Sequence, residues 1–312
     1  MGMLIDGKWT DQNQSTSADG KFVRKQSSFR DFIGSKRFPA EANRYHLYIS
    51  HACPWAHRAV VFRKLKGLES IISLSVVNSF MGENGWELGE GSDPINGKKY
   101  MHEIYTLADP SYTGRVSVPV LWDKQEGTIV NNESSEIMRM FGSEFDAITK
   151  NSKDYYPENL RAEIDEVNEF VYENINNGVY KTGFATAQLV YETEVAKLFA
   201  ALDVLEKRLS QHRYLVGNVL TEADWRLFTT LLRFDLVYFG HFKCNIRRIA
   251  DYPNLSNHLR DLYQTDGVSD TVNIEHIKTH YYTSHIAINP MGIVPAGPEF
   301  NCSTPHDRKR FG

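Results

Sequence analysis

An α/β domain followed by an all-helical domain is the architecture this sequence predicts, and three observations carry it. Strand-like and helix-like spacings of apolar residues alternate up to about position 150, and only helical spacing follows. The chain has 312 residues, more than a single hydrophobic core usually spans. The expected division is 1–150 and 151–312.

In "YHLYIS", Tyr45, Leu47 and Ile49 form one face of a strand. The next stretch, "PWAHRAVVFRKLKG", spaces Trp55, Ala59, Phe62 and Lys66 as a helix does and stops at Gly67. "IISLSVV" reads as a second strand, "VSVPVLWD" as a third, "GTIV" as a short fourth, and "ESSEIMRMFG" as a closing helix. The order is β-α-β, then β-β-α. Joining the halves is an insertion over 78–113, rich in glycine and bearing Trp86, where connections usually run ~4–6 residues. A segment of that length is expected to be functional or flexible.

Beyond Asn151, Leu160, Ile164, Val167 and Val171 recur at helical intervals, as do Val195, Leu198, Leu202, Leu205 and Leu209. In "LTEADWRLF", Thr221 is placed to cap a helix with Asp224 three residues on, and Leu220 to staple onto Trp225. Pro253 opens a further helix in "DYPNLSNHLRDLY". After Tyr282, proline and glycine predict a tail lying partly ordered over the core.

A net charge of −4 without clustered cations removes nucleic acid as a default partner, while small anions remain possible. No apolar run is long enough to cross a bilayer. The opening "MGMLIDGKWTDQNQS" has neither an export signal nor a transit pattern, so the expected location is the cytoplasm. Cys53, Cys244 and Cys302 are odd in number and far apart, which argues against both a disulfide framework and a cysteine-rich zinc site.

Cys53 is the residue with chemistry. It stands between a strand and a helix whose first position is Pro54, so the positive end of the helix dipole points at the sulfur. Helix N-termini move cysteine pKa values from ~8.5 into the range ~3.5–7.5, and the thiolate is the nucleophile. The competing reading is an inert buried cysteine. A dithiol enzyme would carry a resolving cysteine three residues on, but that position is Ala56, so a mixed disulfide here needs an outside thiol.

In "VSVPVLWD" a proline interrupts a strand, which predicts a cis Val118–Pro119 bond and main-chain groups at Val118 open to an extended peptide. Downstream, Glu133 and Ser134 stand at a helix start, suited to a ligand ammonium and carboxylate; the plainer reading is that they cap their helix. His276 and His280 have the i, i+4 spacing of a zinc pair, but a third ligand is not evident, and packing is the favoured reading. Cys244 and Cys302 lack a helix-start setting and read as ordinary thiols.

Together "SHACPWAHR", "VPVLWD", "NNESSEI" and "LTEADWRLF" resemble the Xi-class glutathione transferases, the glutathionyl-hydroquinone reductases. "DGKW", "SFRDFI", "INNGVYKTGFA", "YFGHFKCN" and "HYYTSHIAINPMGIVP" extend the resemblance over nearly the whole chain. It implies a thioredoxin-like N-terminal domain binding glutathione, an all-α substrate domain, a homodimer, and reduction of S-glutathionyl-hydroquinones with glutathione as co-substrate and no metal. Carried over by position, it makes Cys53 the nucleophile and gives glutathione to Trp86, Arg115, Val118, Glu133 and Ser134. Without it, Arg115 would read as a solvated turn arginine and Trp86 as a loop anchor. Tyr180 and Tyr281 would serve the aromatic substrate, with Tyr282 an alternative to its neighbour. The rival readings are an Omega-like thiol transferase or dehydroascorbate reductase, and a non-catalytic glutathione or aromatic-ligand binder.

Overall fold

The computed structural model describes residues 2–11, 16–17, 19–23, 26–89 and 93–312. Residues 90–92 of the 78–113 insertion, and 1 and 12–15 of the segment read for an export signal, lie outside the described residues. In chain order come β1 (Met3–Ile5), β2 (Lys8–Thr10), β3 (Tyr45–Ile49), α1 (Pro54–Leu65), β4 (Ser73–Val76), α2 (Met101–Ala108), β5 (Gly114–Arg115), β6 (Val120–Asp123), β7 (Thr128–Asn131) and α3 (Ser134–Ser143). They are followed by α4 (Asp146–Thr149), α5 (Arg161–Val171), α6 (Gly178–Gly183), α7 (Gln188–Leu209), α8 (Glu222–Arg233), α9 (Pro253–Tyr263) and α10 (Ile274–Ser284).

These elements fall into two compact units. One takes the described residues of 1–14, 25–153 and 273–284; the other takes those of 15–24, 154–272 and 285–312. By this grouping α10 falls with the first unit, and the described residues of 15–24 fall with the second.

In the first unit a sheet has the order β4-β3-β6-β7, with β3 parallel to β4 and antiparallel to β6. Every residue of β3 is buried, so this strand is covered on both faces. Helix α1 packs against α3, and α2 against β7. Helix α2 occupies part of the stretch that reads as a long connection. It forms because Met101, Ile104 and Tyr105 bury one face and the Glu103 carboxylate accepts the Tyr100 N–H at 2.9 Å.

Two features precede the predicted elements. Strands β1 and β2 form a hairpin turned by Asp6 and Gly7, both at positive φ, and β5 adds to β1. Residues 27–33 then run as a strap beside β7 and α3. Asp31 N–H reaches Val130 O at 3.0 Å, Asn132 N–H reaches Phe29 O at 3.1 Å, and Arg30 pairs with Glu136.

In the second unit α8 is buried along its whole length, against α5 and α9. Its N-terminus is the expected capping box of Thr221 and Asp224. Asp224 accepts the N–H groups of Leu215 at 2.8 Å and Thr221 at 2.9 Å, and burial pushes its carboxyl up to about 7. Asp224→Ala strands both N–H donors in a buried site. Its expected cost is on the order of 3 kcal/mol, read as a lower urea midpoint with unchanged slope. The tail is pinned by Arg308, fully buried, which donates to the carbonyls of Leu209 at 2.8 Å and Arg213 at 2.8 Å.

Candidate active site

The geometry around Cys53 follows from where β3 ends and α1 begins. Cys53 is the N-cap of α1, in extended backbone with φ −74° and ψ 117°, and Pro54 takes the first helical position. The Ala56 N–H points at Sγ from 3.5 Å, and the thiol donates to Val118 O at 3.3 Å. The Val118–Pro119 bond is cis, as the interrupted strand predicts. The sulfur is half-buried, neither sealed in the core nor fully in water. Once ionised it keeps the Ala56 donor and the dipole of α1, and gives up the weak bond to Val118.

Ser50 fixes the turn that presents this sulfur. Its carbonyl accepts the Cys53 N–H at 3.1 Å, and its Oγ accepts the Ala52 N–H at 3.2 Å. Nothing in the local sequence marks Ser50, since a serine at a strand end is common.

Glu133 and Ser134 stand at the start of α3. Glu133 is the N-cap: Oε1 accepts from Ser135 N at 3.2 Å and Ser135 Oγ at 3.0 Å, while Oε2 accepts from Ser27 Oγ at 3.0 Å. Burial raises this carboxyl, yet the Ser135 and Ser27 donors and the Arg58 charge outweigh it and hold its pKa below the ordinary value. Glu133 therefore does cap its helix, as a carboxylate whose charged form is favoured. Ser27 comes from the strap, roughly a hundred residues away in sequence, so local pattern gave no sign of it. Ser134 is buried at the first helical position.

Trp86 is mostly buried, and its ring stacks on His280 of α10 with centroids 4.7 Å apart. Arg115 closes β5 opposite Met3 of β1, and its carbonyl accepts the Tyr112 hydroxyl at 3.1 Å. On α10, Tyr281 is 2% exposed and Tyr282 half-buried. The structure thus brings Cys53 and Val118 into direct contact and places Trp86, Arg115, Glu133, Ser134 and Tyr281 in the same unit.

Tyr180 belongs to the second unit. A π-helical turn over Tyr172–Asn176 leads into α6, which sets its half-buried ring among Phe22, Phe184, Tyr238 and Phe242 at centroid distances of 5.5–6.2 Å. Gly183 permits this approach, since a Cβ there would lie 2.2 Å from the Phe242 ring. Such an aromatic nest suits an aromatic guest.

The other cysteines differ sharply from Cys53. Cys244 is sealed, and burial pushes its thiol far up; Cys302 is 6% exposed and pushed up to about 12, again by burial. Brief iodoacetamide treatment of the folded protein at neutral pH is expected to alkylate Cys53 alone, by peptide mass mapping. Equal labelling of Cys302 would contradict this.

Residues 52–144 match the family "Glutathione S-transferase, N-terminal domain", and residues 188–261 match "Glutathione S-transferase, C-terminal domain". The glutathionyl-hydroquinone reductase YqjG of Escherichia coli K12 is 53% identical, with 100% of each chain covered. The glutathionyl-hydroquinone reductase PcpF of Sphingobium chlorophenolicum is 54% identical, with 96% of each covered. Among solved structures, the Xi-class transferase from Natrialba magadii superposes with a TM-score of 0.94 at 48% identity, covering 99% of this chain and 98% of that one. Glutathione-bound YqjG superposes at 0.89 with 51% identity, covering 99% of both chains.

Proposed function

The chain belongs to the glutathione transferase family, among its Xi-class glutathionyl-hydroquinone reductases, and from that membership we propose that it reduces S-glutathionyl-hydroquinones to hydroquinones at the expense of glutathione. The observation that carries the chemistry is the Cys53 sulfur at the N-cap of α1, with alanine at the position where a dithiol enzyme keeps its second cysteine.

In the first half-reaction the Cys53 thiolate attacks the sulfur of the glutathionyl adduct. The Cys53–glutathione S–S bond forms and the carbon–sulfur bond breaks. The bonding pair stays on the aromatic carbon, which takes a proton to become the hydroquinone. In the second, glutathione attacks the mixed disulfide, releasing oxidised glutathione and regenerating Cys53, so the two steps alternate. Glutathione would lie in extended form beside Val118, with its ammonium at Glu133, its α-carboxylate at Ser134, a second carboxylate at Arg115, and Trp86 over it. For the arriving proton the candidates are Tyr281 and Tyr180.

The tripeptide's two carboxylates and one ammonium match one guanidinium, one charged carboxylate and one helix start. That complementarity supports the glutathione assignment for these side chains. A homodimer in the cytoplasm completes the reading, where a glutathione-dependent thiol cycle meets a reducing pool. Incubation with a glutathionyl-hydroquinone and excess glutathione tests it by product analysis. Equal amounts of hydroquinone and oxidised glutathione are expected. Faster reduction of dehydroascorbate than of the adduct would favour the Omega-like alternative.

A further inference from the structure

His276, His280 and Ser284 lie at i, i+4 and i+8 on α10, one face of the helix, and each meets a different part of the first unit. His276 Nε2 is 3.1 Å from Ser50 Oγ, and its ring stands edge-on to His51 at 5.5 Å. Ser50 is the residue that fixes the turn of Cys53. One turn along, His280 stacks on Trp86 with an interplanar angle of 25°, and its Nδ1 is 2.9 Å from Ser79 O. The carbonyl can only accept, so Nδ1 carries the proton. A further turn along, Ser284 Oγ accepts the Met81 N–H at 3.0 Å. The main chain of Trp86 is held separately, its carbonyl accepting the Met101 N–H at 2.9 Å.

A helix more than 200 positions distant in sequence therefore grips both the turn that presents Cys53 and the loop that presents Trp86. We infer that α10 is a positioning clamp for the glutathione site, and that His280 is the positioning residue that holds the Trp86 indole in its ligand-covering orientation. This rests on the proposed role of Trp86. An indole on a loop has several rotamers open to it, and a ligand that had to select one would bind less tightly. The imidazole stack makes that selection before glutathione arrives, while the Ser79 bond stops the imidazole from turning away. The i, i+4 histidines are thus the two contact points of the clamp.

The test uses glutathione affinity by calorimetry and steady-state kinetics on the full chain. His280→Asn keeps a donor for Ser79 O and loses the stack; His280→Phe keeps the stack and loses the donor. His280→Asn is expected to weaken glutathione about fivefold, the scale of an aromatic pair, with kcat at saturating glutathione held within about twofold; His280→Phe stays nearer wild type. In a Trp86→Ala background, itself weakened, His280→Asn should add less than about a twofold loss, because the pair acts as one unit. Undiminished affinity in His280→Asn overturns the inference, as does a full loss that persists without Trp86. If Trp86→Ala alone leaves affinity unchanged, it is the reading of Trp86 that fails, and the clamp's purpose fails with it. Melting curves of each variant separate a loss of fold from a loss of orientation.

Discussion

Cys53→Ser is expected to lower turnover of a glutathionyl-hydroquinone by at least about 10³-fold, the scale at which enzymes respond to losing their nucleophile. The substitution is nearly isosteric, and the hydroxyl can still accept from Ala56 N–H and donate to Val118 O, so the N-cap and the fold should survive. What is lost is the ionisable, polarisable atom. A serine hydroxyl stays protonated at neutral pH and attacks sulfur poorly, and no second cysteine stands at Ala56 to take over. Glutathione should still bind, since its proposed contacts lie on Trp86, Arg115, Val118, Glu133 and Ser134. Steady-state kinetics with calorimetry would separate the two quantities. Near wild-type turnover would remove Cys53 from the chemistry.

The second large effect concerns the proton delivered to the aromatic carbon. Losing a positioned general acid typically costs on the order of 10²–10⁴ in rate, whereas a packing tyrosine that loses only its hydroxyl changes turnover little. Tyr281→Phe and Tyr180→Phe should each slow hydroquinone release by about 10²-fold while leaving the glutathione affinity unchanged. Tyr282→Phe, at a half-buried position beside Tyr281, should stay within about twofold of wild type. Stopped-flow measurement of hydroquinone release is the check. Full turnover in both of the first two variants would end the tyrosine-assisted step and leave the thiol exchange standing.

Much of this was legible in the sequence, and the legible part is local. β3, α1, β6, β7, α3 and α8 announce themselves by period and by caps within a few residues, and so do the N-cap setting of Cys53, the cis bond before Pro119 and the Thr221–Asp224 box. Helix α2 is not legible, because only Met101, Ile104 and Tyr105 mark its buried face, a short signal inside a glycine-rich stretch. The strap at 27–33 has no period of its own; it exists because its backbone finds β7 about a hundred residues later. Contacts formed at such separations leave no trace in spacing. The histidines of α10 make the point most sharply, since their spacing is visible and packing is its favoured reading, while the partners they pack on, Ser50 and Trp86, are known only once the chain has folded.

The central claim is that one cysteine carries the glutathionyl group between two half-reactions. Mixing the protein with a stoichiometric amount of glutathionyl-hydroquinone and no free glutathione, then quenching in acid for intact and peptide mass spectrometry, isolates the first half-reaction. The account predicts one equivalent of free hydroquinone and one glutathionyl group on Cys53, removed as oxidised glutathione when glutathione is added. Hydroquinone released with no adduct on Cys53, or an adduct on Cys244 or Cys302 instead, would contradict it.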